Sequence, residues 1–202
     1  ARLLNAESDF GKHLDSLSDI VTSGVVPGIV VYQLFKLSGN RVNDFDLNLY
    51  LNPIFNLDLI FSISPVAFIA FLITLGSAVR LAKFNTIDYT DEFEGLPTPA
   101  NALFFVSLRI LIDHTYLIDS KEYLLNNYTL ITLTISSVIL MNVPFRLFSL
   151  RLSLRKYDYN IFKILTIVLS IPLIVIFGLG GFSLVIILYL FLNVLRNLWS
   201  LI

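Results

Sequence analysis

The amino-acid sequence predicts an all-α fold, a polytopic transmembrane helical bundle with six spans, and three observations carry that reading. Of its 202 residues, 56% are hydrophobic and only 14% charged, where soluble domains hold roughly 45–50% and about 25%. The apolar residues gather into six segments, about 14–37, 56–79, 100–118, 124–145, 160–177 and 182–199. Each is near the ~20 residues that cross a ~30 Å hydrocarbon layer once tilt is allowed for. The basic residues collect in alternate connections, the asymmetry that orients spans in a bilayer. Residues 1–202 read as a single transmembrane domain without repeat or low-complexity tract.

The first segment, 14–37, carries Gly24 and Gly28, a small-xxx-small pair that lets another helix approach closely, and Pro27, which is expected to kink it. The next polar connection, with GNRVNDFDLN at 39–48, is read as exoplasmic. Segment 56–79 ends at Arg80 and Lys83. The connection after it, NTIDYTDEFEGLPTPA at 84–99, has prolines on both sides of Thr98 that stop helix, so a shaped loop is expected there. In the third segment Arg109 and Asp113 stand four apart, the spacing of an intrahelical ion pair near the exoplasmic end. DSKE at 119–122 leads into the fourth segment, which is followed by Arg146, Arg151, Arg155 and Lys156.

The last two segments need a reversal between them. Residues 164–195 carry no charge, and as one straight helix they would run about 48 Å, too long for one crossing. GLGG at 178–181 is the natural turn. The face bearing Arg2, Arg80, Lys83 and the 146–156 connection is then cytoplasmic. A multi-pass protein of the cytoplasmic (inner) membrane is expected, with Asp15 and Asp19 opening on the cytoplasmic side.

Composition also narrows the chemistry. The net charge is −1 and no Lys/Arg-rich run occurs, so no nucleic-acid partner is expected. With no cysteine and only His13 and His114, any metal must be held by oxygen. Asp15 and Asp19 are four apart, about 6 Å along one helix face. A carboxylate deep in a membrane helix costs at least about 2.5–3.5 kcal/mol, so a pair calls for a compensating partner such as a cation. Gly11, one turn earlier on that face, leaves room for a ligand, whereas His13 lies off it. The plainer alternative is a pair of solvated carboxylates favoured by the positive end of the helix.

Ala1-Arg2, eight residues, Gly11, Asp15 and Asp19 resemble the second half of the signature of the CDP-alcohol phosphotransferases, Asp-x-x-Asp-Gly-x-x-Ala-Arg, eight residues, Gly-x-x-x-Asp-x-x-x-Asp. The first half would lie ahead of Ala1, so the resemblance implies a domain incomplete at its N-terminus, with about two more spans before Ala1. RLAKFN at 80–85 and GLPTPAN at 95–101 look like RLARFN and GLPTPAAA of the serine-using branch, with Lys83 in place of Arg and Asn101 in place of Ala. Ser16 and Ile20 stand where the phosphatidylglycerophosphate and cardiolipin branches tend to carry proline and lysine. The resemblance covers residues 1–101.

It implies an enzyme of phospholipid synthesis that transfers the phosphatidyl group of CDP-diacylglycerol to L-serine within a lipid bilayer, releasing CMP, as a homodimer. It implies two Mg²⁺ or Mn²⁺ ions, with Asp15 and Asp19 as ligands, Asp19 also as general base, and Arg2 and Gly11 at CDP-diacylglycerol. Arg80 and Lys83 become candidates for holding pyrophosphate or the serine carboxylate; the plainer reading makes them membrane anchors. Two alternatives stand beside this one. A sister transferase would use glycerol phosphate, inositol phosphate or choline, and a transporter would spread its carboxylates over several helices.

Overall fold

A computed structural model describes residues 8–38, 45–50, 58–86, 93–113, 121–144, 146–147 and 160–199. Arg2, Arg151, Arg155 and Lys156 lie outside the described residues. Each of the six apolar segments contains a helix, and two short antiparallel ribbons accompany the bundle.

Helix α1, Asp9–Ile20, starts at Ser8, whose extended backbone (φ −137°, ψ 151°) and side-chain Oγ, accepting from the Gly11 N–H at 3.1 Å, cap its first turn. It passes through a π-helical turn, Val21–Val25, into α2, Val26–Leu37. Within the turn the Val26 N–H donates to the Val21 carbonyl, five residues back. The distortion expected from Pro27 therefore takes the form of a wide turn just ahead of it. Pro27 has no N–H to offer the Ser23 carbonyl four residues earlier, and the Ser77 hydroxyl of a neighbouring helix donates there at 3.3 Å.

The second apolar segment departs from expectation. Residues Asp58–Ile63 form strand β2, paired with β1, Phe45–Tyr50, from Phe45↔Ile63 to Tyr50↔Asp58. Helix begins only at Pro65, with a 3-10 turn, Pro65–Phe71, leading into α3, Leu72–Thr86. The reason is local and non-local at once. DLIFSI is rich in β-branched and aromatic residues, Ser64 is extended (φ −101°, ψ 102°), and proline suits a first helical turn. The ribbon strand supplies main-chain partners that a hydropathy pattern does not reveal.

Ribbon β3, Phe93–Glu94, pairs with β4, Arg146–Leu147, and ties the shaped connection to the chain beyond the fourth segment. Helix α4, Thr98–Ile112, starts after Pro97 and is capped at Asp113, and residues 114–118 of the expected span lie outside the described residues. The fourth segment is divided into a single turn α5, Lys121–Leu124, and α6, Asn127–Asn142, because the Asn126 side chain caps a fresh start by accepting from the Tyr128 N–H at 3.0 Å. Helix α6 ends where Val143 turns extended ahead of Pro144. The final pair is the expected hairpin: α7, Asn160–Phe177, a 3-10 turn Gly178–Gly180 with Gly178 at φ +57°, and α8, Gly181–Trp199, packed back on α7.

Among the described residues three stretches are long and apolar enough to cross a membrane: His13–Leu37, Pro65–Lys83 and Ile161–Asn197, the last containing the hairpin, while Thr98–Ile112 is apolar but shorter. The core runs through Val31, Leu34, Ile73, Phe105, Ile112, Leu130 and Met141. The outside is apolar too, with Val175 77% and Leu179 67% exposed, as a lipid-facing surface requires. This is a helical membrane protein.

Gly24 and Gly28 meet α3. A Cβ on Gly28 would lie 2.9 Å from Thr74 Oγ1 and one on Gly24 3.2 Å from Ser77 Cβ, while Thr74 Oγ1 donates to the Gly24 carbonyl at 3.0 Å. Gly28→Leu is therefore expected to cost about 2 kcal/mol through overpacking. Ile29→Leu on the exposed neighbouring position serves as the neutral control. Unfolding midpoints in detergent measure both, and equal midpoints would dismiss the close approach as unimportant.

Candidate active site

The contact between α1–α2 and α3 is antiparallel, since Gly24 lies against Ser77 and Gly28 against Thr74, Phe71 and Ala70. Followed toward the start of α1, this register leads to the C-terminal turns of α3, and α1 packs against α3. The stretch of α1 that carries Gly11, Asp15 and Asp19 thus shares one end of the bundle with Arg80 and Lys83. Asp15 is exposed and Asp19 half-buried, one turn deeper. Gly11 is exposed, and among the described residues a Cβ there would approach Ser8 Oγ alone, at 3.2 Å. His13 is exposed as well.

Arg80 has an additional role that sequence reasoning missed. Its Nη1 donates to the Met141 carbonyl at 2.6 Å and its Nη2 to the Gly95 carbonyl at 3.4 Å. The guanidinium thereby joins three elements: α3, the last turn of α6 and the loop that opens GLPTPAN. Gly95 is obligatory at that joint, because it sits at φ +68° and a Cβ would come within 2.7 Å of the Met141 carbonyl. The Leu96 N–H donates to the Leu140 carbonyl at 2.9 Å, and Asn142 Nδ2 reaches the Gly76 carbonyl at 3.2 Å. Asn101, 1% exposed in the first turns of α4, accepts from Ser137 Oγ at 2.8 Å. The substitution of Asn for the more usual Ala thus adds a tie between α4 and α6. The available signal was an arginine inside an apolar helix, which needs acceptors from somewhere.

Lys83 is exposed on the last turns of α3. The Arg109–Asp113 ion pair forms as expected, and Lys121 Nζ joins Asp113 at 3.3 Å, at the opposite end of α4 from Asn101. Among the described residues no three His, Cys, Asp or Glu side chains gather as a metal site. Asp15 and Asp19 supply two carboxylates one turn apart. Oxygen donors of this kind suit a hard divalent cation, though they fill only part of the six or more ligand positions such an ion takes.

Fold and site together define a helical membrane protein with carboxylates and cations collected at one end of its bundle. A sequence model of the CDP-alcohol phosphatidyltransferase family matches residues 1–140. The chain belongs to that family, whose members are transferases of phospholipid synthesis. It is similar to the CDP-diacylglycerol–serine O-phosphatidyltransferase of Methanocaldococcus jannaschii, 38% identical over 120 residues that cover 59% of this chain and 46% of the relative. It is also similar to the protein of that name from Helicobacter pylori strain 26695, 26% identical over 204 residues, 98% of this chain and 72% of the relative. For Mycobacterium leprae the figures are 32% over 120 residues, 55% and 32%. The chain thus spans about half the length of the M. jannaschii relative.

Proposed function

We propose that the chain is the core of a phosphatidylserine synthase, which transfers the phosphatidyl group of CDP-diacylglycerol to L-serine and releases CMP. The observation that carries this reading is the joint made by Arg80. It fastens Gly95, at the head of GLPTPAN, to the end of the bundle that holds Asp15 and Asp19. The names of the relatives support the same substrate.

In this reading Asp19 accepts the proton of the serine hydroxyl as the oxygen attacks phosphorus. A P–O bond to the attacking oxygen forms while the pyrophosphate P–O bond breaks, and CMP leaves. Asp19, half-buried and one turn inside Asp15, is the carboxylate suited to that role. Asp15 and Asp19 would hold Mg²⁺ or Mn²⁺, and the bound metal supplies positive charge at the anionic pyrophosphate. Lys83 adds a cation on a long, flexible stem for pyrophosphate or for the serine carboxylate, and Arg80 keeps the loop in place. Gly11, without a side chain, leaves room for the nucleotide, with Arg2 as its further contact. The loop charges support an inner-membrane orientation with this end toward the cytoplasm, where serine and the nucleotide headgroup are soluble, and the family resemblance supports a homodimer.

The test is alcohol specificity. Purified full-length protein supplied with CDP-diacylglycerol and Mn²⁺ is expected to release CMP with L-serine and not with glycerol 3-phosphate, inositol phosphate or choline. Release driven by one of those and not by serine would move the chain to a sister activity within the family.

A further inference from the structure

We propose that the π turn at Val21–Val25 is a positioning device that aims Asp15 and Asp19 at α3, held by Pro27, Thr74 and Ser77; the inference rests on the proposed transfer to serine. Helix geometry supplies the reason. At about 100° per residue, an unbroken α-helix would set Leu17 within about 40° of Gly24, Val31 and Phe35, the stripe that α2 buries. Asp19 and Asp15 would then lie about 120–180° away from that stripe, on the outer side. The structure has the reverse arrangement. Gly24 is buried, Val31 is 0% and Phe35 4% exposed, yet Leu17 is 60% exposed while Ser16 and Asp19 are half-buried.

The π turn accounts for the difference. It takes one residue more than an α turn, so everything N-terminal to it is rotated by roughly one residue, about 100°, relative to α2. Asp19 is brought within about 20–60° of the buried stripe and Asp15 within about 60–100°, while Leu17 is turned out. Single π turns of this kind recur where a helix must aim a functional side chain.

The turn is built in from both sides. Pro27 withholds the N–H that would extend α2 backward through the Ser23 carbonyl. Across the interface, Ser77 Oγ donates to that carbonyl at 3.3 Å and Thr74 Oγ1 donates to the Gly24 carbonyl at 3.0 Å. Both hydroxyls belong to the helix that also bears Arg80 and Lys83. The element that the carboxylates must face therefore also sets their direction.

The experiment converts the π turn to α-helix and then compensates. In the full-length protein, Pro27→Ala with Thr74→Val and Ser77→Ala restores the missing N–H and removes both hydroxyls. The expected result is a fall in kcat of at least about tenfold, with KM for CDP-diacylglycerol within about threefold of wild type. A nitroxide at position 17 reads rotation independently of turnover and should become less mobile in this variant. Deleting Thr22 in the same background removes the extra residue, so a continuous α-helix regains the original direction. Both kcat and label mobility should return toward wild type. A triple variant with wild-type label mobility, or a deletion that fails to restore it, overturns the inference. If the wild-type protein releases no CMP with serine, the functional reading fails, and the label alone still decides whether the π turn sets the rotation.

Discussion

Asp19→Asn in the complete protein is expected to reduce serine transfer by about a thousandfold in kcat while CDP-diacylglycerol still binds. A positioned general base contributes about 10²–10⁴ in rate, and docking a nucleotide lipid needs no proton acceptor. The substitution is nearly isosteric at a half-buried position, so the fold should survive. Asp15→Asn, one turn nearer the start of α1, should shift the Mn²⁺ titration to higher concentration, since in the proposed reading it removes an oxygen ligand and leaves the base. Turnover of the Asp19 variant within tenfold of wild type would remove it from the chemical step, and an unchanged Mn²⁺ titration would do the same for Asp15 as a ligand.

Arg80→Ala should be damaging for a different reason. Two main-chain carbonyls, of Met141 and Gly95, lose a charged donor. Hydrogen bonds to charged groups contribute about 1.5–3 kcal/mol each, so a loss of about 2–4 kcal/mol is expected, together with loss of transfer as the segment 95–97 ahead of α4 detaches. Arg80→Lys should not restore it, because a single ammonium cannot span the two acceptors as the planar fork does. Lys83→Ala should lower transfer without moving the unfolding midpoint. Identical midpoints for Arg80→Ala and Lys83→Ala would show that the joint is not structural.

The contrast between these two cations measures what a sequence can disclose. Both are visible as basic residues three apart at the end of an apolar segment, and both lie at the end of the bundle where Asp15 and Asp19 stand. That one of them fastens Gly95 to Met141 depends on a partner 61 positions away. No local pattern encodes such a distance. The hairpin at 160–199 is legible for the opposite reason: continuous hydrophobicity and a glycine-rich reversal are local signals. The late start of the second helix, at Pro65, escapes such a reading because Asp58–Ile63 is equally apolar as strand or helix, and pairing with Phe45–Tyr50 decides between them. The outward-facing Leu17 escapes because a 3.6-residue period assumes an unbroken helix, and the interruption is set by hydroxyls on another one.

The reversal at Gly178 has a consequence for how the protein is made. Between 164 and 195 there is no charged side chain, so carrying the turn through the bilayer transports no ion across it. Each arm satisfies its own backbone as helix, and the two arms pack together, which favours entry of the pair as one unit rather than one arm after the other. Among the described residues a Cβ on Gly178 would meet nothing within 4 Å, yet φ is +57°. Replacement there is limited by backbone strain and not by space, and asparagine is the side chain best suited to tolerate it. Because the hairpin returns, the end of α8 emerges on the side where α7 began. A reporter fused after it would share the compartment of the start of α7.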